Sequence, residues 1–241
     1  VRYNLKDEDL SRHMTRIQVE LHCHSYHSKD SLLPPERILQ ICEGRGIDKI
    51  AITDHNTIAG GLEAARLNPD RVIVGEEIMT TQGEVLGYFV QEEIPPGLTP
   101  QRTIALLREQ GAFISVSHPF DTIRKGSWRE QDLHQILPLV DALEICNART
   151  MWDGPNARAA ELASRMNLLG TAGSDAHAAI EVGRIVMRLP TFHNAESMRR
   201  ALQDAEIIGR RSSPLVHFYS RYAKYRKALG WRPPKVPHPD D

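Results

Sequence analysis

The chain is poor in cysteine. Cys23, Cys42 and Cys146 are too few and too scattered for a disulfide framework, and no CxxC pair is present to seat structural zinc. The expectation is a reducing, cytoplasmic setting. Long apolar runs are also missing: nothing approaches the roughly 20 residues of a membrane span, and the N-terminus is polar and charged where a signal peptide carries an apolar stretch. Membrane association is therefore not expected. Nor does one sign of charge prevail. With 30 Lys plus Arg against 31 Asp plus Glu, the net charge is −1, so no global field recruits nucleic acid, and only a local basic patch would do so. Internal repeats and low-complexity tracts are absent. The oligomeric state is not legible.

What is present suffices for one large core. The 241 residues are 41% hydrophobic, and a chain of this length buries roughly 70–75% of its unfolded surface in a single domain. Short β-branched runs at Ile17–Leu21, Lys49–Thr53, Arg71–Gly75, Ala112–Val116, Val140–Cys146 and Leu168–Ala172 read as strands. Helical patterns alternate with them, the first opening at Pro34-Pro35 and ending at Gly44 and Gly46. The alternation predicts an α/β fold with a largely parallel sheet, either closed as a barrel or open and doubly wound. Residues 84–99 break the rhythm with an extra apolar run, Val85–Val90, and a Pro95-Pro96-Gly97 loop. Residues 1–16 read as an N-terminal extension, 17–205 as the catalytic barrel and 206–241 as a C-terminal helical tail.

Histidines and carboxylates cluster at or just beyond the C-terminal ends of the predicted strands. His22 and His24 follow the first, Asp54 and His55 the second, Glu76 and Glu77 the third, His118 the fourth, and Asp175 and His177 the sixth. In a β/α barrel that end is the active-site face. His22 and His24 stand two apart, so on extended backbone both project from one side and can share a cation; Asp175 and His177 repeat the spacing. Either pair alone is also compatible with an ordinary polar strand edge. Imidazole with carboxylate suits zinc, manganese or iron, and several carboxylates allow more than one ion. Two ions roughly 3.5–4 Å apart can activate a water and stabilise the leaving oxygen of a phosphoryl displacement.

The ordered motifs Val19-Glu20-Leu21-His22-Cys23-His24, Ile52-Thr53-Asp54-His55-Asn56-Thr57, Gly75-Glu76-Glu77-Ile78, Ser117-His118-Pro119-Phe120 and Ala172-Gly173-Ser174-Asp175-Ala176-His177 resemble those of the PHP (polymerase and histidinol phosphatase) family. The resemblance spans roughly residues 17–190. It implies a distorted seven-stranded β/α barrel of TIM-like type, a single domain holding two or three divalent ions, with manganese, zinc or iron expected and magnesium as an alternative. It implies that His22, His24, Glu77 and Asp175 hold one ion, that Glu77 bridges to a second also bound by His118, and that Asp30, His55 and His177 hold the third, with a bridging hydroxide as nucleophile. Glu77, His118 and Asp175 form the expected catalytic set. The sequence departs from the family pattern twice. Ser28-Lys29-Asp30-Ser31 places its aspartate one position later than Ser-Asp-Gly, which leaves His27 as a competitor for Asp30. Glu84 stands where a histidine often precedes the segment corresponding to Val85–Phe89, so the second ion either gains a carboxylate ligand or is weak.

Strand neighbours point to opposite faces, which gives Glu77 the metal and Glu76 a structural role, and makes Asp54 an orienting group or a helix cap. His13, His134, His193 and His217 lack ligand spacing. Asn147-Ala148-Arg149 follows the fifth strand, where Asn147 and Arg149 are candidates to bind substrate phosphate, Arg149 through two parallel bonds; the alternative is a surface salt bridge. Arg124 and Lys125 are weaker candidates. Phe218, Tyr222, Tyr225 and Leu229 recur at helical spacing among Arg221, Lys224, Arg226 and Lys227. Such a stripe either stacks single-stranded nucleic acid or packs a terminal helix on the barrel; packing is the expectation. The resulting reading is a phosphoesterase for a small phosphorylated metabolite or nucleotide. A 3'-5' exonuclease-like module and a metal-stabilised module without turnover are the rivals, the balanced charge speaking against the first and the retained ligand set against the second.

Overall fold

A computed structural model describes residues 15–124 and 126–233. Most of the expected N-terminal extension, with His13, lies outside the described residues, as do Lys125 and residues 234–241. Among the described residues nine strands, β1 (Arg16–Cys23), β2 (Lys49–Ile52), β3 (Val72–Met79), β4 (Glu84–Tyr88), β5 (Phe113–Val116), β6 (Ala142–Asn147), β7 (Leu169–Gly173), β8 (Ile185–Pro190) and β9 (Glu206–Gly209), form one sheet in the order β7-β6-β5-β4-β3-β2-β1-β8-β9. Beyond the end of β7, Ala176 bridges Cys23 of β1: His24 N–H donates to the Ala176 carbonyl at 2.8 Å and Ala176 N–H to the His22 carbonyl at 3.2 Å. The seam between β7 and β1 is thereby drawn together into a nearly closed, TIM-like barrel.

The count of nine departs from the expected seven because β8 and β9 add an antiparallel pair beside β1. β8 is buried at every position but Arg188, whereas β9 is exposed throughout and carries no buried-strand pattern. The expected tail boundary at 206 therefore falls at the start of a strand that belongs to the sheet. The sheet is also less parallel than the alternation predicts. The apolar run after Glu84 is β4, antiparallel to both β3 and β5, and pairing Met79 with Glu84 extends β3 past Glu76 and Glu77.

Helices α1 (Pro35–Arg45), α2 (Ala59–Leu67), α3 (Pro100–Glu109), α4 (Glu130–Ile136), α5 (Gly154–Arg165) and α6 (Ala195–Ala201) pack around the strands. Pro35 opens α1 where a missing N–H costs nothing, and Gly46 closes it at φ 66°. Ile38, Ile41 and Cys42 of α1 meet Ile50 and Ile52 of β2, while Ile104 and Leu107 of α3 meet Val85 and Ile114. Each fully buried aliphatic side chain contributes about 1.5–3 kcal/mol, so the wall is held from outside and the mouth is free to be polar.

The C-terminal helix α7 (His217–Ala228) corrects the packing expectation. Ser220 and Ala223 are its buried residues, whereas Phe218, Tyr222, Tyr225 and Leu229 are 64%, 52%, 62% and 67% exposed. The barrel mouth it meets is polar, so small side chains and cations seat there and the rings turn outward: Lys224 Nζ lies 3.2 Å from Asp30, and Lys227 donates to the Tyr26 and Ser28 carbonyls. No helix among the described residues is long and apolar enough to cross a membrane.

Candidate metal centre

The strand ends bring the predicted side chains to one mouth of the barrel. Register irregularities interrupt β1 between Glu20 and Cys23 and β6 between Glu144 and Cys146. Bulges of this kind re-aim side chains, and the two meet, His22 Nδ1 lying 2.8 Å from Glu144 Oε1. Asp175 and His118 follow β7 and β5 in left-handed backbone, at φ 52° and 24°. That conformation is uncommon outside glycine and is maintained only where the surroundings enforce it. Gly173 is required for the same convergence, because a Cβ there would stand 2.4 Å from Cβ of His22.

Glu77 is the hub. Its Oε2 lies 3.4 Å from Nε2 of both His22 and His24 and 3.0 Å from Nδ1 of His55, and its Oε1 lies 3.2 Å from His118 Nε2. Asp175 Oδ1 is 3.3 Å from His24 Nε2 and 3.8 Å from His22 Nε2. Toward the rim, Asp30 Oδ1 is 3.4 Å from His177 Nε2 and 3.5 Å from His55 Nε2. Glu84 closes the remaining side, 3.7 Å from His55 and 3.5 Å from His118. The set fits bound cations. His22 Nε2, His24 Nε2, His118 Nδ1, Glu77 Oε2 and Asp30 Oδ1 are buried without a hydrogen-bond partner among the described residues, and a buried polar atom left so is costly. Three trios, His22/His24/Glu77, His24/His55/His177 and His55/Glu77/Glu84, each gather ligand atoms within 4.8 Å.

The electrostatics are divided. Burial raises the Glu77 carboxyl, but His22, His55 and His118 pull it well below the usual range; Asp175 is likewise pulled far down, by Arg124 and His22. Burial and the neighbouring His177 and His55 hold His24 well below the usual imidazole value, which leaves a neutral ring suited to ligation. Burial and the charge of Glu77 push Glu84 up to about 7.

Asp30 and Glu84 thus join the cluster, while His27 is drawn away to Glu63 at 2.8 Å. Asp54 orients rather than caps. It accepts from Ser25 N–H at 2.7 Å and from Ser28 Oγ at 2.6 Å, and Ser28 Oγ lies 3.1 Å from His24 Nδ1. Asn147 and Arg149, expected at the substrate, are engaged inside the protein. Asn147 Nδ2 donates to Asp175 at 3.1 Å and to Glu144 at 3.0 Å. Arg149 lines the mouth, yet its guanidinium meets Glu181 at 3.1 Å, Ser220 Oγ at 3.0 Å and His177 Nδ1 at 2.7 Å, so its parallel N–H pair is not presented to a phosphate. Arg124 reaches further in than its loop position suggests, pairing with Asp175 and, at 3.0 Å, with Asp121.

Glu20, Ser117 and Glu144 contact residues of the cluster, and ligand spacing misses them. Glu144 receives His118 N–H at 2.9 Å besides facing His22, and Ser117 Oγ donates to Glu77 at 2.5 Å. Glu20 accepts from the N–H groups of His22, Ser174 and Gly183. The available signal for Glu20 and Glu144 is a lone carboxylate inside an apolar strand run. The mouth opens as a cavity of about 630 Å³ whose wall includes Asp30, Glu84, His118, Asp175, Arg221 and Lys224.

A PHP domain model matches residues 20–111, and a PHP-associated model matches residues 153–207. An uncharacterized protein of Methanocaldococcus jannaschii is 40% identical over 146 residues, 55% of this chain and 82% of that protein. Two solved structures share the fold. A two-domain protein from Bacteroides vulgatus containing a predicted PHP-like metal-dependent phosphoesterase superposes with a TM-score of 0.68 at 18% identity, over 82% of this chain and 66% of that one. The lesion-specific endonuclease EndoQ of Pyrococcus furiosus superposes with a TM-score of 0.61 at 16% identity, over 83% of this chain and 60% of that one.

Proposed function

The chain belongs to the PHP domain family, and from that membership and the geometry of the barrel mouth we propose that it is a metal-dependent phosphoesterase. The observation that carries the reading is the buried, unpartnered trio of His22 Nε2, His24 Nε2 and Glu77 Oε2, each ring nitrogen 3.4 Å from the carboxylate oxygen. We assign His22, His24, Glu77 and Asp175 to one ion, Glu77, His118 and Glu84 to a second, and Asp30, His55 and His177 to a third. Divalent ions such as manganese, zinc or iron supply Lewis acidity and an activated water for attack on phosphorus.

The chain's own residues prepare the ligands. Glu144 accepts the Nδ1 proton of His22 and leaves Nε2 facing Glu77 and Asp175; Ser28 Oγ, 3.1 Å from His24 Nδ1, does the same for His24. Such partners fix the tautomer and raise ligand basicity. Asn147 and Arg124 hold Asp175, and Ser117 holds Glu77. A cavity of about 630 Å³ accommodates a small phosphorylated metabolite or nucleotide.

Protein purified without chelator is expected to carry at least two transition-metal ions per chain by elemental analysis. With manganese it is expected to release inorganic phosphate from members of a phosphomonoester panel, and Asp175→Asn is expected to lose that activity while remaining folded. Negligible metal and no activation by added ions would sink the reading. Full metal content without turnover on monoesters or diesters would favour the rival of a metal-stabilised module.

A further inference from the structure

We infer that α7 is a docking site for single-stranded nucleic acid, which it delivers to the metal-lined cavity. The inference takes the phosphoesterase reading of that cavity and names a polymeric substrate class for it. Three observations carry it. The first is charge. Residues 217–233 contain Arg221, Lys224, Arg226, Lys227 and Arg232 and no acidic residue, within a chain whose net charge is −1. The basic patch that the overall balance leaves open is thus gathered in one segment.

The second is the exposed face. Tyr219, Tyr222 and Tyr225 are 49%, 52% and 62% exposed and Phe218 is 64% exposed. At 3.6 residues per turn, Arg226 falls between Tyr222 and Tyr219, and Arg221 borders Tyr225 on the other side. Arg226 Nη1 donates to the Tyr222 hydroxyl at 2.9 Å, with its guanidinium 5.7 Å from the ring centre. A helix lying in a membrane interface separates an apolar face from a basic one, whereas here guanidinium groups stand among the rings. That mixture suits a strand whose bases stack on aromatics while its phosphates meet cations. Duplex bases are already stacked on one another, so the face selects single strands.

The third is position. The edge of α7 opposite its aromatic face is fastened to the mouth by Lys224 at Asp30 and by Ser220 at Arg149. Arg221 and Lys224 line the cavity together with Asp30, Glu84, His118 and Asp175. A strand lying on the tyrosines reaches the candidate ligands by passing over the Arg221 edge of α7, which lies between the aromatic face and the cavity.

The test is fluorescence anisotropy with short labelled oligothymidylate and oligouridylate in EDTA, so that binding is read apart from hydrolysis. Both are expected to bind more tightly than duplex of the same length. Tyr222→Ala combined with Tyr225→Ala is expected to weaken binding about tenfold or more, and the paired Tyr→Phe changes to leave it nearly unaltered, because stacking needs the ring. Removing Arg226 is expected to lower the slope of log affinity against log salt by about 0.7. The proposal is overturned by an absence of binding, by binding that polyphosphate displaces equally well and that ignores the tyrosines, or by capture on phosphatidylserine vesicles in place of oligonucleotides. Release of phosphate from small monoesters by the same preparation with manganese leaves the phosphoesterase reading standing in each of those cases.

Discussion

Glu76 and Glu77 are neighbours on β3, both buried, and the two sides of the strand treat them in opposite ways. Glu77 faces the barrel mouth among His22, His24, His55 and His118, and its carboxyl is drawn well down although burial alone raises it. Glu76 faces outward beneath the segment after β4, where its hydrogen-bonding partner is Ile94 N–H at 3.0 Å, and burial pushes it up to about 8. One residue of strand alternation thus separates an anion from a neutral acid. Burial is common to both, so the difference comes from the partners: a carboxylate persists in a low-dielectric site where opposite charges converge on it, and takes a proton where none do. The mouth is a place built to hold charge, whereas the outer face of the same strand is ordinary protein interior.

The sharpest way to break that contrast is to neutralise each glutamate in turn. Glu77→Gln is expected to lower turnover by more than about a hundredfold, exceeding the usual effect of losing a ligand's supporting partner, and to reduce metal content. Glu76→Gln is expected to keep turnover within about twofold. Initial rates with manganese and elemental analysis on both variants decide the matter, and equal losses would mean that Glu77 is not the hub.

A smaller effect is expected at Glu144, which contacts the cluster through His22 and His118. Glu144→Ala is predicted to weaken metal affinity about 10–100-fold, measured by competition with a chelator, with turnover recovering at saturating metal. This residue also marks the limit of what the sequence reveals. His22, His24, His55, His118, Asp175 and His177 were legible because each follows a strand and stands in an ordered motif. Glu144 lies inside Ala142–Asn147, where period-2 patterning describes a strand without saying which carboxylate the barrel will turn inward, and a bulge sets that. The internal partners of Arg149 were not legible for a related reason. Its position after β6 is right for a phosphate anchor, but Glu181 and Ser220, far along the chain, claim its guanidinium. The α7 stripe was legible as a stripe, and its outward direction depends on the polarity of the mouth, which no local pattern encodes.

A finer test concerns Glu84, which shares the mouth with Glu77 yet has its carboxyl pushed up to about 7 by burial and by the charge of Glu77 itself. A carboxyl protonated below that value must release its proton to serve as a ligand, so affinity at its site rises with pH up to about 7 and then levels. Glu84→Gln is expected to reduce the number of protons released on metal binding at pH 6 by about one. Glu84→His is expected to shift preference from manganese toward zinc. Titration calorimetry in buffers of different ionisation enthalpy measures the first. An unchanged proton count together with an unchanged metal preference would remove Glu84 from the ligand set.

The smallest effect on turnover is expected from Glu76, where the contrast becomes one of stability. Its folded value of about 8 lies above the ordinary 4.5, so between those values the folded chain holds a proton that the unfolded chain has released. Stability therefore falls as pH rises through this window: the contribution of the neutral buried acid is fully present below about 4.5 and is lost by the time pH has passed about 8. Glutamine keeps a carbonyl for Ile94 N–H and does not ionise. Relative to the parent, Glu76→Gln should thus gain stability as pH rises, little near pH 4.5 and on the order of a few kcal/mol by pH 9, while turnover measured at each pH stays close to parental. Urea unfolding of both proteins at pH 5, 7 and 9 reads the difference directly, without requiring metal or substrate. A constant offset across the three would show that Glu76 is ionised in the fold, and the two sides of β3 would then differ in geometry but not in charge.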